Sequence, residues 1–246
     1  MDPGHLSDTP KQIPYQAHMN KTTPETTQEC TRCGDCCRNG GPSLHMEDLE
    51  AIRSGLGPGL ENMVTIRTGE YAFDQLRNRF APIDNEFVKL KGSGGSWTCI
   101  FFSEQAGHCT IYDHRPAECR ALDCHDLSAL EEIHTHEHIT RRHLIPEGHP
   151  LLELIDEHDR HCPPVRLAEL ATPAATGDEQ ASAELETMIR YDDEMRKLIP
   201  ERAGLDADAM DFLLGRPARA LLRQFATAVT IEKNGRMAFR KIPKRG

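Results

Sequence analysis

Four cysteines within eight residues constrain the fold of this chain more than any other feature of its sequence. They stand in the run Cys30-Thr-Arg-Cys33-Gly-Asp-Cys36-Cys37. A two-residue gap between cysteines forms a tight loop with both sulfurs on its inside, so such thiols can turn back around one metal centre. Gly34 fits this loop because glycine adopts the positive φ that such a turn often needs. The run therefore predicts a domain built around a metal site.

The other cysteines form a second group, with one left over. The chain has 246 residues and nine cysteines, of which four lie at 30–37 and four at 99–124. Nothing in the sequence resembles a signal peptide or a membrane span, so we expect the reducing cytoplasm. That compartment and the odd count both favour metal ligation over a disulfide framework. The predicted metal ligands are Cys30, Cys33, Cys36, Cys37, Cys99, Cys109, Cys119, Cys124 and Cys162.

The spacing of the cysteines bears on the metal. Structural zinc sites usually contain two Cys-x2-Cys pairs, whereas the second group here has long, unequal gaps. The first group, with a remote fourth ligand, has the arrangement that wraps a 4Fe–4S cluster. Thiolate ligation alone does not separate the two, so the sequence favours an iron–sulfur cluster and leaves zinc open. The adjacent Cys36 and Cys37 point in different directions in most backbone conformations, which leaves the number of centres open.

Three signatures carry a resemblance to a known family. They are Cys-x2-Cys-Gly-x-Cys-Cys-Arg in the first group, Cys-Ile-Phe-Phe from Cys99, and Cys-Thr-Ile-Tyr-Asp-His-Arg-Pro-Ala-Glu-Cys-Arg from Cys109. In this order they resemble the YkgJ-type cysteine-cluster family, whose members are described as zinc- or iron-chelating domains. The resemblance covers about residues 28–125 and implies ligands rather than a reaction. The matching cysteines are Cys30, Cys33, Cys36, Cys37, Cys99, Cys109 and Cys119, whereas Cys124 and Cys162 lie at or beyond the edge.

Two arginines beside the second group are candidates for contact with the bound cofactor. Arg115 and Arg120 flank Cys119 in the sequence. A guanidinium near thiolates lowers their pKa and offsets the negative charge of a tetrathiolate site. The alternative is an ordinary structural ion pair, and the sequence gives both interpretations equal weight.

Histidines are concentrated between residues 114 and 161, where nine of the thirteen lie. His134 and His138 have the i, i+4 spacing that places two side chains on one helix face, where they can share a metal. A solvated face is the commoner meaning of such a pattern, and we favour it. His158 and Cys162 have the same spacing, and with His161 they form a group that can add a ligand to the main site or form a second one.

The pattern of elements predicts an α+β fold. We expect a small antiparallel sheet and short helices around the cysteine site, followed by a mostly helical C-terminal region. The Asn-Gly pair at 234–235 predicts a hairpin near the C-terminus. The predicted divisions are a disordered segment at 1–29, a metal-binding domain at 30–165, a linker at 166–180, and a helical region with the hairpin at 181–246.

Three functions are consistent with these features. The favoured one is a protein that holds an iron–sulfur cluster or zinc for a structural or electron-transfer role. The second is a metalloenzyme with an open coordination position that acts on a peptide, a nucleic acid or a small molecule. The third is a thiol redox or metal-trafficking protein. The net charge of −10 argues against nucleic acid as a partner, and the sequence names no protein partner.

Overall fold

The computed structural model of the chain describes residues 32–74, 79–94 and 96–242. The prediction of disorder at 1–29 and the candidate ligand Cys30 lie outside the described residues. Within them the α+β class is confirmed, because small antiparallel sheets and short helices precede a mostly helical C-terminal region. No helix in this part of the chain is long and apolar enough to cross a membrane.

The secondary structure consists of short elements up to residue 144 and longer helices after it. The helices are α1 (Asp35–Arg38), α2 (Leu49–Arg53), α3 (Ala117–Ala121), α4 (Ser128–Ile133), α5 (Arg141–Leu144), α6 (Pro150–His161), α7 (Pro164–Ala175), α8 (Glu179–Ala203), α9 (Met210–Leu214) and α10 (Ala218–Gln224). The strands are β1 (Met63–Ile66), β2 (Tyr71–Asp74), β3 (Arg79–Pro82), β4 (Phe87–Leu90), β5 (Phe102–Ser103), β6 (His108–Cys109), β7 (Thr227–Ile231) and β8 (Met237–Lys241). The strands pair as β1–β4, β2–β3, β5–β6 and β7–β8.

The chain divides into two compact units. The first unit comprises residues 1–58, 74–79 and 89–138, and it holds all of the cysteines except Cys162. The second unit comprises residues 59–73, 80–88 and 139–246. The chain passes between the units several times, which no local signal in the sequence indicates. The predicted division into domains stays a prediction.

The first unit has little regular structure and a small apolar core. Its sheet β5–β6 pairs Phe102 with Cys109. The sequence predicts a longer strand at 97–102, but here Cys99 makes only an isolated bridge to Gly92 and the strand starts at Phe102. Among the described residues, the buried apolar side chains of this unit are Leu44, Leu90, Cys99, Phe102 and Ala117.

The second unit contains the larger core, built from its long helices and the β7–β8 hairpin. Residues 166–180, predicted as a linker, instead form most of α7 and the start of α8. The prediction differs because the polar residues Arg166, Glu169 and Thr172 are exposed, while the small Ala174 packs in the core. On the other side, Leu167, Leu170 and Ala171 recur at helical spacing and are buried. The core cluster includes these residues together with Leu185, Ile189, Leu222 and Phe239.

A buried carboxylate connects the helices of the second unit. Asp192 of α8 is 1% exposed and accepts hydrogen bonds from His158 Nε2 at 2.9 Å and from Arg196 Nε at 3.0 Å. Its other oxygen accepts from the backbone N–H of Ala218 at the start of α10, at 2.9 Å. Burial alone would raise the pKa of Asp192, but the His158 hydrogen bond and the Arg196 charge outweigh it and lower the pKa to about 2. The ionised carboxylate therefore stabilises the fold.

We expect Asp192→Ala to lower the free energy of unfolding by about 3–5 kcal/mol at pH 7, because it removes the buried acceptor that His158, Arg196 and the Ala218 N–H share. Since the folded pKa lies below the ordinary 3.8, this contribution is present above pH 3.8 and is lost as the pH falls through about 2. Urea unfolding across this range measures both effects. The matched control is Asp193→Ala, whose exposed carboxylate pairs with Arg219 and should contribute less than about 1 kcal/mol. Equal losses for the two variants would contradict the assignment.

Candidate metal centre

Four separate segments of the first unit position its half-buried and buried thiols. Cys36 and Cys37 lie on α1, Cys99 lies in the loop before β5, Cys109 ends β6 and Cys119 lies on α3. The Cys99 backbone N–H donates to the carbonyl of Cys37 at 2.7 Å, which ties the first cysteine group to the second. The Cys36 and Cys37 sulfurs are 4.0 Å apart.

The electrostatics show that four of these thiols lie close to one another. The Cys37 side chain and burial raise the pKa of Cys36. Burial and then the charges of Cys109 and Cys36 raise the pKa of Cys99. Burial raises the pKa of Cys119 most strongly, with further contributions from Cys99, Cys36 and Cys109. Each of the four thiols is therefore difficult to ionise without a nearby cation.

Of the two arginines that the sequence predicted near the cofactor, Arg115 is the one that affects a thiol of this group. Burial raises the pKa of Cys109, and the Arg115 guanidinium partly opposes that rise. The guanidinium lies 4.0 Å above the Tyr112 ring and donates to the Tyr112 carbonyl at 3.0 Å. Arg120 donates to the Arg115 carbonyl at 2.6 Å and lies 3.8 Å from a carboxylate oxygen of Asp48. Contact of either arginine with a bound cofactor stays a prediction.

The remaining predicted ligands have different surroundings. Cys33 and Cys124 are exposed, and Cys30 lies outside the described residues. Cys162 belongs to the second unit, where it is fully buried in the apolar core and donates to the Met188 carbonyl at 3.3 Å. Burial raises its pKa to about 12, as expected of a core thiol. The structure thus groups Cys36, Cys37, Cys99, Cys109 and Cys119, while the ligand role of every predicted cysteine stays a prediction.

Gly34 shapes the loop that carries the first cysteine group. Its φ is +83°, which glycine adopts freely and other residues do not. A Cβ at this position would lie 2.3 Å from the Phe102 ring, inside van der Waals contact. On the same ring, the Arg38 guanidinium lies 4.7 Å from the centroid, and Arg38 pairs with Glu104. The cysteine loop therefore packs directly against β5.

We expect Gly34→Ala to destabilise the first unit by about 2–4 kcal/mol, because it adds a clash with Phe102 to the cost of positive φ. Gly107→Ala is a matched control, since Gly107 has a φ of +70° and a methyl group added there would meet no atom within 4 Å. Gly107→Ala should be destabilising only through the strain of its positive φ, by about 1 kcal/mol. Thermal unfolding of the metal-loaded variants compares them. A Gly107 variant as unstable as the Gly34 variant would contradict the packing argument.

The sequence missed a second group of ligand-type side chains in this unit. His45, Glu118 and His138 each bring one ligand atom to within 4.8 Å of the others. His134 and His138 do not share a helix face, because α4 ends at Ile133 and His138 forms an extended bridge with His45. Since 73 residues separate His45 from Glu118, no spacing rule could have paired them. Its nitrogen and oxygen donors differ from the sulfur donors of the cysteine group.

Comparison with known proteins gives a family match for one part of the chain. Residues 29–143 match the family model described as "CxxCxxCC: Putative zinc- or iron-chelating domain". The match confirms the resemblance predicted from the sequence, and it covers just under half of the chain. It includes every cysteine except Cys162. No curated protein and no solved structure matches the chain.

In metal-free protein that circular dichroism shows to be folded, we expect iodoacetamide to modify Cys33 and Cys124 much faster than Cys99 and Cys119. The first two are exposed, whereas burial raises the pKa of the last two and leaves little of the reactive thiolate. Mass spectrometry of tryptic peptides at successive times measures each rate at pH 8. The Cys99 and Cys119 rates should rise further as the pH increases beyond 9. Equal rates for all four thiols at pH 8 would contradict the described arrangement.

Proposed function

We propose that the first unit holds a 4Fe–4S cluster, with Cys36, Cys99, Cys109 and Cys119 as the central ligand set. The observation that carries this proposal is that separate segments of one unit bring these thiols together, with the Cys99 N–H bonded to the Cys37 carbonyl at 2.7 Å. Cys30, Cys33 and Cys37 are further candidates from the first group, as in the family whose model residues 29–143 match. Such a cluster, when bound, supplies one-electron chemistry or a structural anchor.

The spacing of the thiols supports a cluster over a single zinc ion. Tetrahedral zinc with Zn–S bonds of about 2.3 Å requires sulfurs about 3.8 Å apart. In the part of the chain that the structure describes, no three cysteine sulfurs lie within 4.8 Å of one another. A cube of iron and sulfide separates its ligands more widely than a single ion does. Zinc binding would instead require the four segments to draw together.

The composition of the first unit supports a structural contribution from the metal. Few of its described side chains form an apolar core, while most buried apolar residues belong to the second unit. Units of this kind commonly depend on a metal or a cross-link, because burial alone does not outweigh the conformational entropy. Ligation free energy then becomes folding free energy for this unit. We also propose the reducing cytoplasm as its location, because it keeps the thiols available.

The test is a pair of cysteine-to-serine variants of the full chain, purified without oxygen. We expect Cys99→Ser to lose most of its bound iron and to melt at a lower temperature, because a ligand is removed from the centre. Cys162→Ser is the control, since its hydroxyl can still donate to the Met188 carbonyl in the second unit. It should keep its metal. Undiminished metal in the Cys99 variant, or equal loss in both variants, would contradict the proposed ligand set.

A further inference from the structure

His45, Glu118 and His138 form a compact set of nitrogen and oxygen donors within the first unit. His45 Nε2 lies 3.1 Å from Glu118 Oε1, and the ligand atoms of all three residues lie within 4.8 Å of one another. Donors bound to one metal at about 2.0–2.2 Å are about 3.0–3.4 Å apart. The first pair already has this separation, so the third ligand needs only a small adjustment.

Backbone hydrogen bonds hold the three residues in place. His45 and His138 form an antiparallel bridge, supported by the Met46 N–H, which donates to the Glu137 carbonyl at 3.0 Å. The second oxygen of Glu118 accepts from the Ser43 N–H at 2.9 Å. These contacts fix the side chains before any ligand binds, which is the usual requirement of a metal site.

Asp48 adds a further link between the segments that carry the set. One of its carboxylate oxygens accepts from the His45 N–H at 3.0 Å, and the other accepts from the Ala117 N–H at 2.8 Å. The carboxylate is itself buried. It therefore joins the segment that carries His45 to α3, which carries Glu118. This is the position of a residue that supports metal ligands without binding the metal.

One nitrogen of the buried His45 ring, the one that does not face Glu118, has no partner in the described part of the chain. His45 is fully buried, and its Nδ1 has no hydrogen-bond partner among the described residues. A buried ring nitrogen without a partner is costly, and in native proteins it commonly marks an ion or a water molecule. The other nitrogen already faces Glu118, so the ring carries more bonding capacity than the surrounding protein uses.

We propose that His45, Glu118 and His138 form a second metal site, which binds a divalent first-row transition-metal ion. Two imidazoles and one carboxylate suit such ions, whereas magnesium and calcium prefer oxygen alone and the soft iron–sulfur centres prefer thiolates. His134 Nδ1 lies 3.5 Å from Glu118 Oε1 with 26% of its side chain exposed, which places it on the solvent side of the site. The proposal does not depend on which centre the cysteines hold.

The site shares one short helix with the proposed cysteine centre. Glu118 and Cys119 are consecutive residues of α3, and their side chains face different groups. Consecutive residues of a helix are about 100° apart around its axis, so adjacent side chains can serve two sites. The two metals would therefore bind side by side in the same unit through different donor sets.

The test uses cobalt as the probe on the full chain, purified without oxygen with its cysteine centre in place. Cobalt bound to imidazole and carboxylate gives visible d–d bands without a sulfur-to-cobalt charge-transfer band. We expect about one equivalent to bind in this way. We expect His138→Gln to weaken cobalt binding by more than about 100-fold, which is more than the loss of a residue that only supports a metal ligand would cause. Circular dichroism checks that the variant folds.

The matched control is His136→Gln, the same substitution two residues away on an exposed side chain that pairs with Glu47. It should bind cobalt like the parent chain, and Glu118→Gln gives a second independent loss. The proposal is overturned if the parent chain binds no cobalt outside thiolate coordination, or if His138→Gln and His136→Gln bind it equally well. The iron and sulfide contents test the cysteine centre separately. Failure of the proposed iron–sulfur cluster would therefore change these contents and not the cobalt bands of the histidine site.

Discussion

The first unit depends on the burial of thiols that cannot ionise alone. Its described residues supply few buried apolar side chains, while burial and mutual repulsion raise the pKa values of Cys36, Cys99 and Cys119. The proposed cationic centre would convert this repulsion into ligation and tie these segments together. The second unit needs no such centre, because its long helices bury a continuous apolar core around Leu185 and Leu222.

Helix α3 carries residues of both candidate sites in the first unit. Cys119 belongs to the cysteine group, whereas Glu118 bonds His45 and the Ser43 backbone. Pro116 precedes the helix and has no N–H to satisfy, which suits a helix start. A helix of five residues has little stability of its own, so its contacts on both sides keep it folded.

The sequence allowed the fold class and the metal-chelating domain to be predicted, because cysteine spacing is a local signal. The loop around Gly34 and the β7–β8 hairpin followed from equally local rules. The pairing of His45 with Glu118 was not predictable, since it depends on how distant segments pack. The helical structure of residues 166–180 was also not predicted, because small residues that suggest a loop can equally pack in the core, as Ala171 and Ala174 of α7 do.

The central claim is that the cysteines of the first unit hold an iron–sulfur cluster. The most direct measurement is the iron, zinc and acid-labile sulfide content of the full chain purified without oxygen, together with its visible spectrum. The account predicts a brown protein with about four iron atoms and about four sulfides per chain. A colourless protein that contains zinc and no sulfide would contradict it and make the cysteine site a zinc site.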